Sequence, residues 1–148
     1  MKRIVLGSAS PRRRELLRLM GIEFDVVASG EEERYHSVFP QDIVKELALA
    51  KAENVARILS ERALTKAAKC HAPTMVTGGQ SAVEAVFVPD SRVIIGADTV
   101  VVRDGKILGK PRDEAEAVVM LQGLQGRPHE VYTGVVLLEC DDGGMHVR

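Results

Sequence analysis

The stretch SASPRRR, residues 8–14, packs two serines and three arginines into one short run. Ser10 is of the N-cap type and Pro11 of the type favoured at the first helical position, which places Arg12 and Arg13 in a first turn. That end of a helix carries partial positive charge, and each exposed cation there costs roughly 0.3–1 kcal/mol. A solvated basic helix start would account for one such arginine. Here the hydroxyls of Ser8 and Ser10, open helix N–H groups and adjacent guanidiniums converge, and a bound anion relieves their repulsion. Backbone donors at a helix start suit phosphate, and arginine adds bidentate hydrogen bonds. The chain has no GxxxxGK[ST] run, so this is not a Walker loop.

Two further polar residues stand in apolar surroundings. At about 100° per residue, Lys51 falls near the middle of the apolar face of its helix, between Leu47 and Val55. Snorkelling is harder from the centre of a stripe than from its edge, so Lys51 points into a cleft and meets a negative partner. Asn54 shares that face. In VIIGADTVVV, Asp98 interrupts a run that otherwise reads as a buried strand, beside Gly96, where a ligand could approach closely. An aspartate closing a strand before a turn gives the same pattern as a metal ligand or general base at a cleft, and Asp98 alone does not separate them. Glu31, Glu32 and Glu33 read either as a solvated acidic loop or as the border of the same cleft, and Lys110 either as a phosphate ligand or as a surface lysine. Cations for phosphates and carboxylates for a hard divalent metal suit hydrolysis of a phosphoanhydride with Mg²⁺ or Mn²⁺. No nucleophile elbow speaks for acyl transfer, and His36, His71, His129 and His146 lack zinc-site spacing.

The elements that must position these groups alternate in type. Residues 3–7 read as a short buried strand and 11–20 as a helix with Leu16, Leu17 and Met20 as its apolar stripe and Gly21 as its stop. IEFDVVA (22–28) predicts a second strand. A long helix follows Pro40 to about Arg62, with Ile43, Val44, Leu47, Ala50, Val55 and Ile58 facing the core. Residues 63–90, rich in small residues with a Gly-Gly pair and two prolines, predict an irregular excursion. RVIIGADTVVV is a strong strand, and Asp104-Gly105 signals a hairpin into KILGK. Asp113 with Glu116 predicts a capping box on a helix ending at Gly123 or Gly126. HEVYTGVVLLEC is a last long strand, and DDGG turns it back into MHVR. The pattern is an α/β domain with a mixed sheet.

At 148 residues, 45% hydrophobic and 28% charged, the chain suits one soluble domain. A net charge of −1 argues against nonspecific nucleic-acid binding, which needs a broad basic field. Cys70 and Cys140 lie far apart without metal-ligand spacing, as expected in a reducing compartment. The apolar run in MKRIVLGSAS is too short for a signal peptide and no run is long enough to span a membrane, so the expectation is cytoplasmic.

SASPRRRELL, ELALAKAENVA, VIIGADTVVV and ILGKPRDEAEAVVMLQGLQGRPHEVYTGV, in this order and covering most of residues 3–138, closely resemble the Maf family of nucleotide pyrophosphatases. The resemblance implies an elongated α/β fold, a mixed sheet flanked by helices, related to the inosine triphosphate pyrophosphatases. It implies hydrolysis of a nucleoside triphosphate to the monophosphate and pyrophosphate with a divalent metal. It casts Asp98 as the catalytic base and Ser8, Arg13 and Lys51 as phosphate ligands with Lys110 nearby. Glu33 matches an acidic position supporting metal or water, and Arg12 and Thr99 match positions of the dTTP/UTP subgroup. The expected partner is the nucleotide, without nucleic acid or membrane, and a homodimer is compatible with it. Two departures accompany the likeness. Residues 63–90 read as an insertion in a single 1–148 domain, and the chain stops where the family continues into further strands and a helix. A catalytically impaired nucleotide-binding or regulatory protein of the same fold is therefore the alternative expectation.

Overall fold

The computed structural model describes residues 2–30, 34–70, 91–141 and 144–148. Strand β1 (Arg3–Leu6) leads into α1 (Pro11–Leu19), β2 (Asp25–Val26), α2 (Pro40–Cys70), β3 (Arg92–Arg103), β4 (Lys106–Leu108), α3 (Glu114–Leu124), β5 (Glu130–Asp141) and β6 (Gly144–Val147). The six strands form one mixed sheet in the order β2-β1-β3-β5-β6, with β4 paired to β3 off this path. The pairs β1–β2 and β1–β3 are parallel, and the others are antiparallel. The expected α/β class with a mixed sheet is the one observed.

Strand β3 is the spine. It pairs with β5 without interruption from Arg92 to Val102. Its other edge is split. Residues Arg92–Ile95 pair with β1 and Val101–Arg103 pair with β4, so among the described residues no strand lies along this edge of 96–100. The Asp104-Gly105 turn has φ of 50° and 72°, the left-handed pair that a tight hairpin needs, and it returns β4 along the distal half of this edge.

Helix α2 covers one face of the sheet along most of its length. One buried cluster joins Ala52, Val55 and Ala56 to Val5, Ile94, Leu138 and Cys140. A second joins Ile43, Val44 and Leu47 to Val100 and Val102. Each fully buried Val, Leu or Ile contributes about 1.5–3 kcal/mol. Between the clusters the helix comes down onto glycine: a Cβ at Gly96 would lie 2.1 Å from the Ala48 carbonyl oxygen, and one at Gly134 only 2.4 Å from that of Val44. Ala50 is exposed, contrary to expectation, because it stands about 120° round the helix from Val44.

Other boundaries moved for local reasons. Helix α2 continues to Cys70, so the first part of the expected excursion is helical, while 71–90 lies outside the described residues. Strand β2 is only two residues long, Asp25 and Val26 pairing with Val5 and Leu6 of β1. Of the expected apolar stripe on α1, Leu17 is half-buried, whereas Leu16 is 45% exposed and Met20, at the C-cap, 70% exposed. Asp113 caps α3 by accepting from the Glu116 N–H at 2.8 Å. The reciprocal half of the expected box is displaced by one residue, since Glu116 accepts from the Arg112 N–H. That N–H and the Arg112 guanidinium hold the Glu116 carboxyl below its ordinary range. Among the described residues no helix is long and apolar enough to cross a membrane.

Gly96→Ala is expected to cost about 3 kcal/mol, because the intruding methyl must displace helix backbone rather than a side chain. Gly109→Ala, with open space at its Cβ, should change stability by less than about 1 kcal/mol. Urea unfolding of the two variants checks this, and equal midpoints would contradict it.

Candidate active site

The chain leaves β1 through Gly7, whose N–H donates to the Ile95 carbonyl at 2.8 Å. Gly7 is pressed against α2, where a Cβ would meet Val55 at 3.2 Å. Ser8 follows, buried to 7% exposure, and its Oγ accepts from the Ser10 N–H at 3.2 Å and from Arg13 Nη1 at 3.1 Å. Ser10 occupies the N-cap position of α1 with extended backbone, yet its side chain makes no capping bond. Ser10 thus leaves the N–H groups of the first turn uncapped, at the positive end of the helix dipole.

Arg13 reaches from α1 to the open edge of β3. Its Nη1 also donates to the Ala97 carbonyl and its Nη2 to Thr99 Oγ1, both at 3.1 Å. The Ala97 bond takes up a backbone acceptor in the stretch that neither β1 nor β4 reaches. All three acceptors are neutral. Among the described residues no carboxylate offsets the charge of Arg13, and three of its five N–H donors are in use.

The neighbouring arginines are disposed differently. Arg12 turns outward, 72% exposed, to pair with Glu15 at 3.3 Å, and Arg14 donates to the Ala9 carbonyl. Arg12 is therefore not brought to the cavity, because successive helical residues diverge by about 100° and only Arg13 is aimed at β3.

Lys51 and Asp98 meet from the other face. Asp98 shares its side of β3 with Gly96, over which α2 passes, and Lys51 Nζ lies 2.8 Å from Asp98 Oδ1. The side chains are 20% and 10% exposed. Desolvation at such depth makes pairing obligatory: either partner alone would be a buried, uncompensated charge. Among the described residues Asp98 Oδ2 has no hydrogen-bond partner. Asn54, on the same helix, is buried with its Oδ1 unpartnered.

These groups line one cavity of about 410 Å³, walled by Gly7, Ser8, Ser10, Arg13, Lys51, Asp98, Thr99 and Lys110 among others. Among the described residues that wall the cavity, Arg13, Lys51 and Lys110 are the cations and Asp98 the carboxylate. It sits beyond the carboxyl end of β1, where the chain passes to β2 on one side and returns to β3 on the other, a topological switch point. Of the residues expected at a site, Ser8, Ser10, Arg13, Lys51, Asp98, Thr99 and Lys110 are together, Arg12 is outside, and Glu33 lies outside the described residues. No cluster of three or more potential metal ligands occurs among the described residues. Sequence reasoning missed Ser29, which lines the cavity, and Thr133, whose Oγ1 is 2.9 Å from that of Thr99. Position after the second strand could have signalled Ser29; Thr133 needed the β3–β5 register.

An open sheet with an anion-receptive crevice at its switch point defines the class. Residues 3–148 match the family described as Maf-like protein, and the chain belongs to that family. It is 39% identical over 140 residues to a dTTP/UTP pyrophosphatase of Thermoanaerobacter sp. (strain X514), a match covering 95% of this chain and 58% of that protein. It is 42% identical over 144 residues to a dTTP/UTP pyrophosphatase of Bacillus cereus (strain ATCC 10987 / NRS 248), covering 95% of this chain and 55% of the relative. A third protein of the same name, from Bacillus cytotoxicus, is 43% identical over 141 residues, with 93% and 57% covered. The chain thus spans a little under three-fifths of the length of these relatives.

Lys51→Met is expected to cost about 2–3 kcal/mol, less than the roughly 3–5 of a fully buried broken pair. Adding Asp98→Asn should recover most of that loss, because the stranded carboxylate is gone. Chemical denaturation of the single and double variants measures it, and two equal losses would show that the pair is not the cause.

Proposed function

We propose that the chain hydrolyses nucleoside triphosphates to the monophosphate and pyrophosphate, with dTTP and UTP as substrates. The observation that carries this reading is the division of charge in the cavity: a buried carboxylate held at one oxygen by Lys51, beside a guanidinium bound only to neutral acceptors. The names of the relatives support the substrate class. The dimensions agree, since about 410 Å³ falls within the usual range of ligand pockets.

Arg13, the first-turn N–H groups of α1, Ser8 and Lys110 receive the polyphosphate, and Lys51 bridges between it and Asp98. Asp98 Oδ2 accepts a hydrogen bond from water and takes its proton as the water oxygen bonds to the α-phosphorus. The α–β phosphoanhydride bond breaks, and pyrophosphate leaves with the electron pair of the bridging oxygen. Lys51 keeps Asp98 fixed, so the chemistry rests on positioning and charge stabilisation. A Mg²⁺ or Mn²⁺ fits the donor set, because Mg²⁺ commonly takes one or two carboxylates, substrate phosphates and waters. Asp98 and the phosphate oxygens would hold it, with Glu33 as a further candidate, and it would neutralise developing charge. The same reading places the protein in the cytoplasm, where such nucleotides are found.

Pyrophosphate release from dTTP and UTP, with and without Mg²⁺ or Mn²⁺, tests the reading. Asp98→Asn is expected to lower kcat by about 10²–10⁴-fold, the usual worth of a general base, and chelation to abolish turnover. Arg13→Ala should act mainly on KM. Calorimetric binding of dTTP without pyrophosphate release would instead identify a nucleotide-binding protein that lacks the chemistry.

A further inference from the structure

Thr133 lies opposite Thr99 in the antiparallel ladder of β3 and β5, on the face of the sheet from which α1 approaches. Their hydroxyl oxygens are 2.9 Å apart. Thr99 Oγ1 also accepts from Arg13 Nη2, and a guanidinium can only donate. The three groups therefore form a line in which Thr99 has one lone pair committed to Arg13 and its remaining hydroxyl capacity turned to Thr133. A threonine hydroxyl rotates freely unless a second partner fixes it. Thr133 is that partner, although it is not among the residues that wall the cavity.

We propose that Thr133 is a positioning residue: it locks the Thr99 hydroxyl so that Arg13 is held across the open edge of β3 with its remaining N–H groups aimed into the cavity. Arg13 is anchored at three points, Ser8, Ala97 and Thr99. Ser8 and the Ala97 carbonyl both bind Nη1, so among the described residues Thr99 supplies the one contact at Nη2 and bears on where the second Nη2 N–H is directed. Loosening Thr99 leaves the cation present but badly directed. For a charge not offset by any described carboxylate, direction decides which oxygen of an incoming anion it meets.

The kinetic part of this inference rests on the pyrophosphatase reading. Thr133→Val keeps the shape and the strand preference and removes the hydroxyl, whereas Thr133→Ser keeps the hydroxyl. In the full chain with Mg²⁺ and dTTP, Thr133→Val is expected to raise KM about threefold to tenfold, the worth of one neutral hydrogen bond, with kcat nearly unchanged. Thr133→Ser should restore the wild-type value. Adding Thr133→Val to Thr99→Val should change nothing more, because the line is already broken. The second readout needs no turnover: ¹⁵N NMR of the Arg13 guanidinium should give distinct Nη signals in wild type and Thr133→Ser, and averaged ones in Thr133→Val. Unaltered Arg13 signals in Thr133→Val, or a full additional loss on top of Thr99→Val, would overturn the proposal. A wild-type chain that neither binds nor cleaves dTTP would refute the pyrophosphatase reading, while the Arg13 spectra would still decide the role of Thr133.

Discussion

The closeness of α2 to the sheet governs the molecule. At Gly96 and Gly134 the helix backbone approaches to distances that leave no room for a methyl group. The two apolar clusters on either side hold it there. This seating delivers Lys51, in the middle of the buried stripe, to within hydrogen-bonding distance of Asp98. A helix lifted by a layer of ordinary side chains would leave the ammonium stretching across a gap and the carboxylate stranded. Core packing and site geometry are here the same constraint, because the residues that stabilise the domain set the distance at which Lys51 meets Asp98.

The cations of the site come in two electrical conditions. Lys51 is compensated by Asp98, so its burial is tolerable in the absence of ligand. Among the described residues Arg13 is held by a serine, a carbonyl and a threonine, all neutral. Beside it lies the uncapped, positive end of α1. Removing a cation from that helix start would relieve the protein, and in the proposed reading the missing negative charge arrives with the nucleotide. Donors already in place need little reorganisation when they meet that charge.

What could be read from the residues was largely what local chemistry dictates. A lysine at the centre of an apolar stripe, an aspartate inside a β-branched run, the Asp104-Gly105 turn and the Asp113 cap each break or obey a short-range rule, and each stands where that rule put it. The remainder depended on contacts distant in sequence. Three consecutive arginines are equivalent until the phase of α1 against β3 selects Arg13 and sends Arg12 to Glu15. The pairing of β2 with β1 extends over only two residues, which the alternation of 22–28 does not show. The stripe of α1 had the right periodicity, yet Leu16 and Met20 stay exposed. Thr133 stands 34 positions from Thr99, and only strand register makes them partners. Residues 63–70, ALTKAAKC, are rich in good helix formers, so the continuation of α2 past Arg62 to Cys70 follows local propensity that the small-residue composition of 63–90 as a whole obscured.

The interrupted edge of β3 has a consequence for how the protein tolerates change. Along those few residues, paired on one edge only among the described strands, consecutive side chains look to opposite sides, so the carboxylate of Asp98 addresses the long helix while the hydroxyl of Thr99 addresses the short one. Loss or gain of a single residue there would exchange the two sides, turning an acid toward the arginine and an alcohol toward the lysine. The arginine would acquire a permanent counter-charge and the lysine would lose its own. Side-chain replacement in this segment is graded, but its length behaves as a parity, either right or inverted.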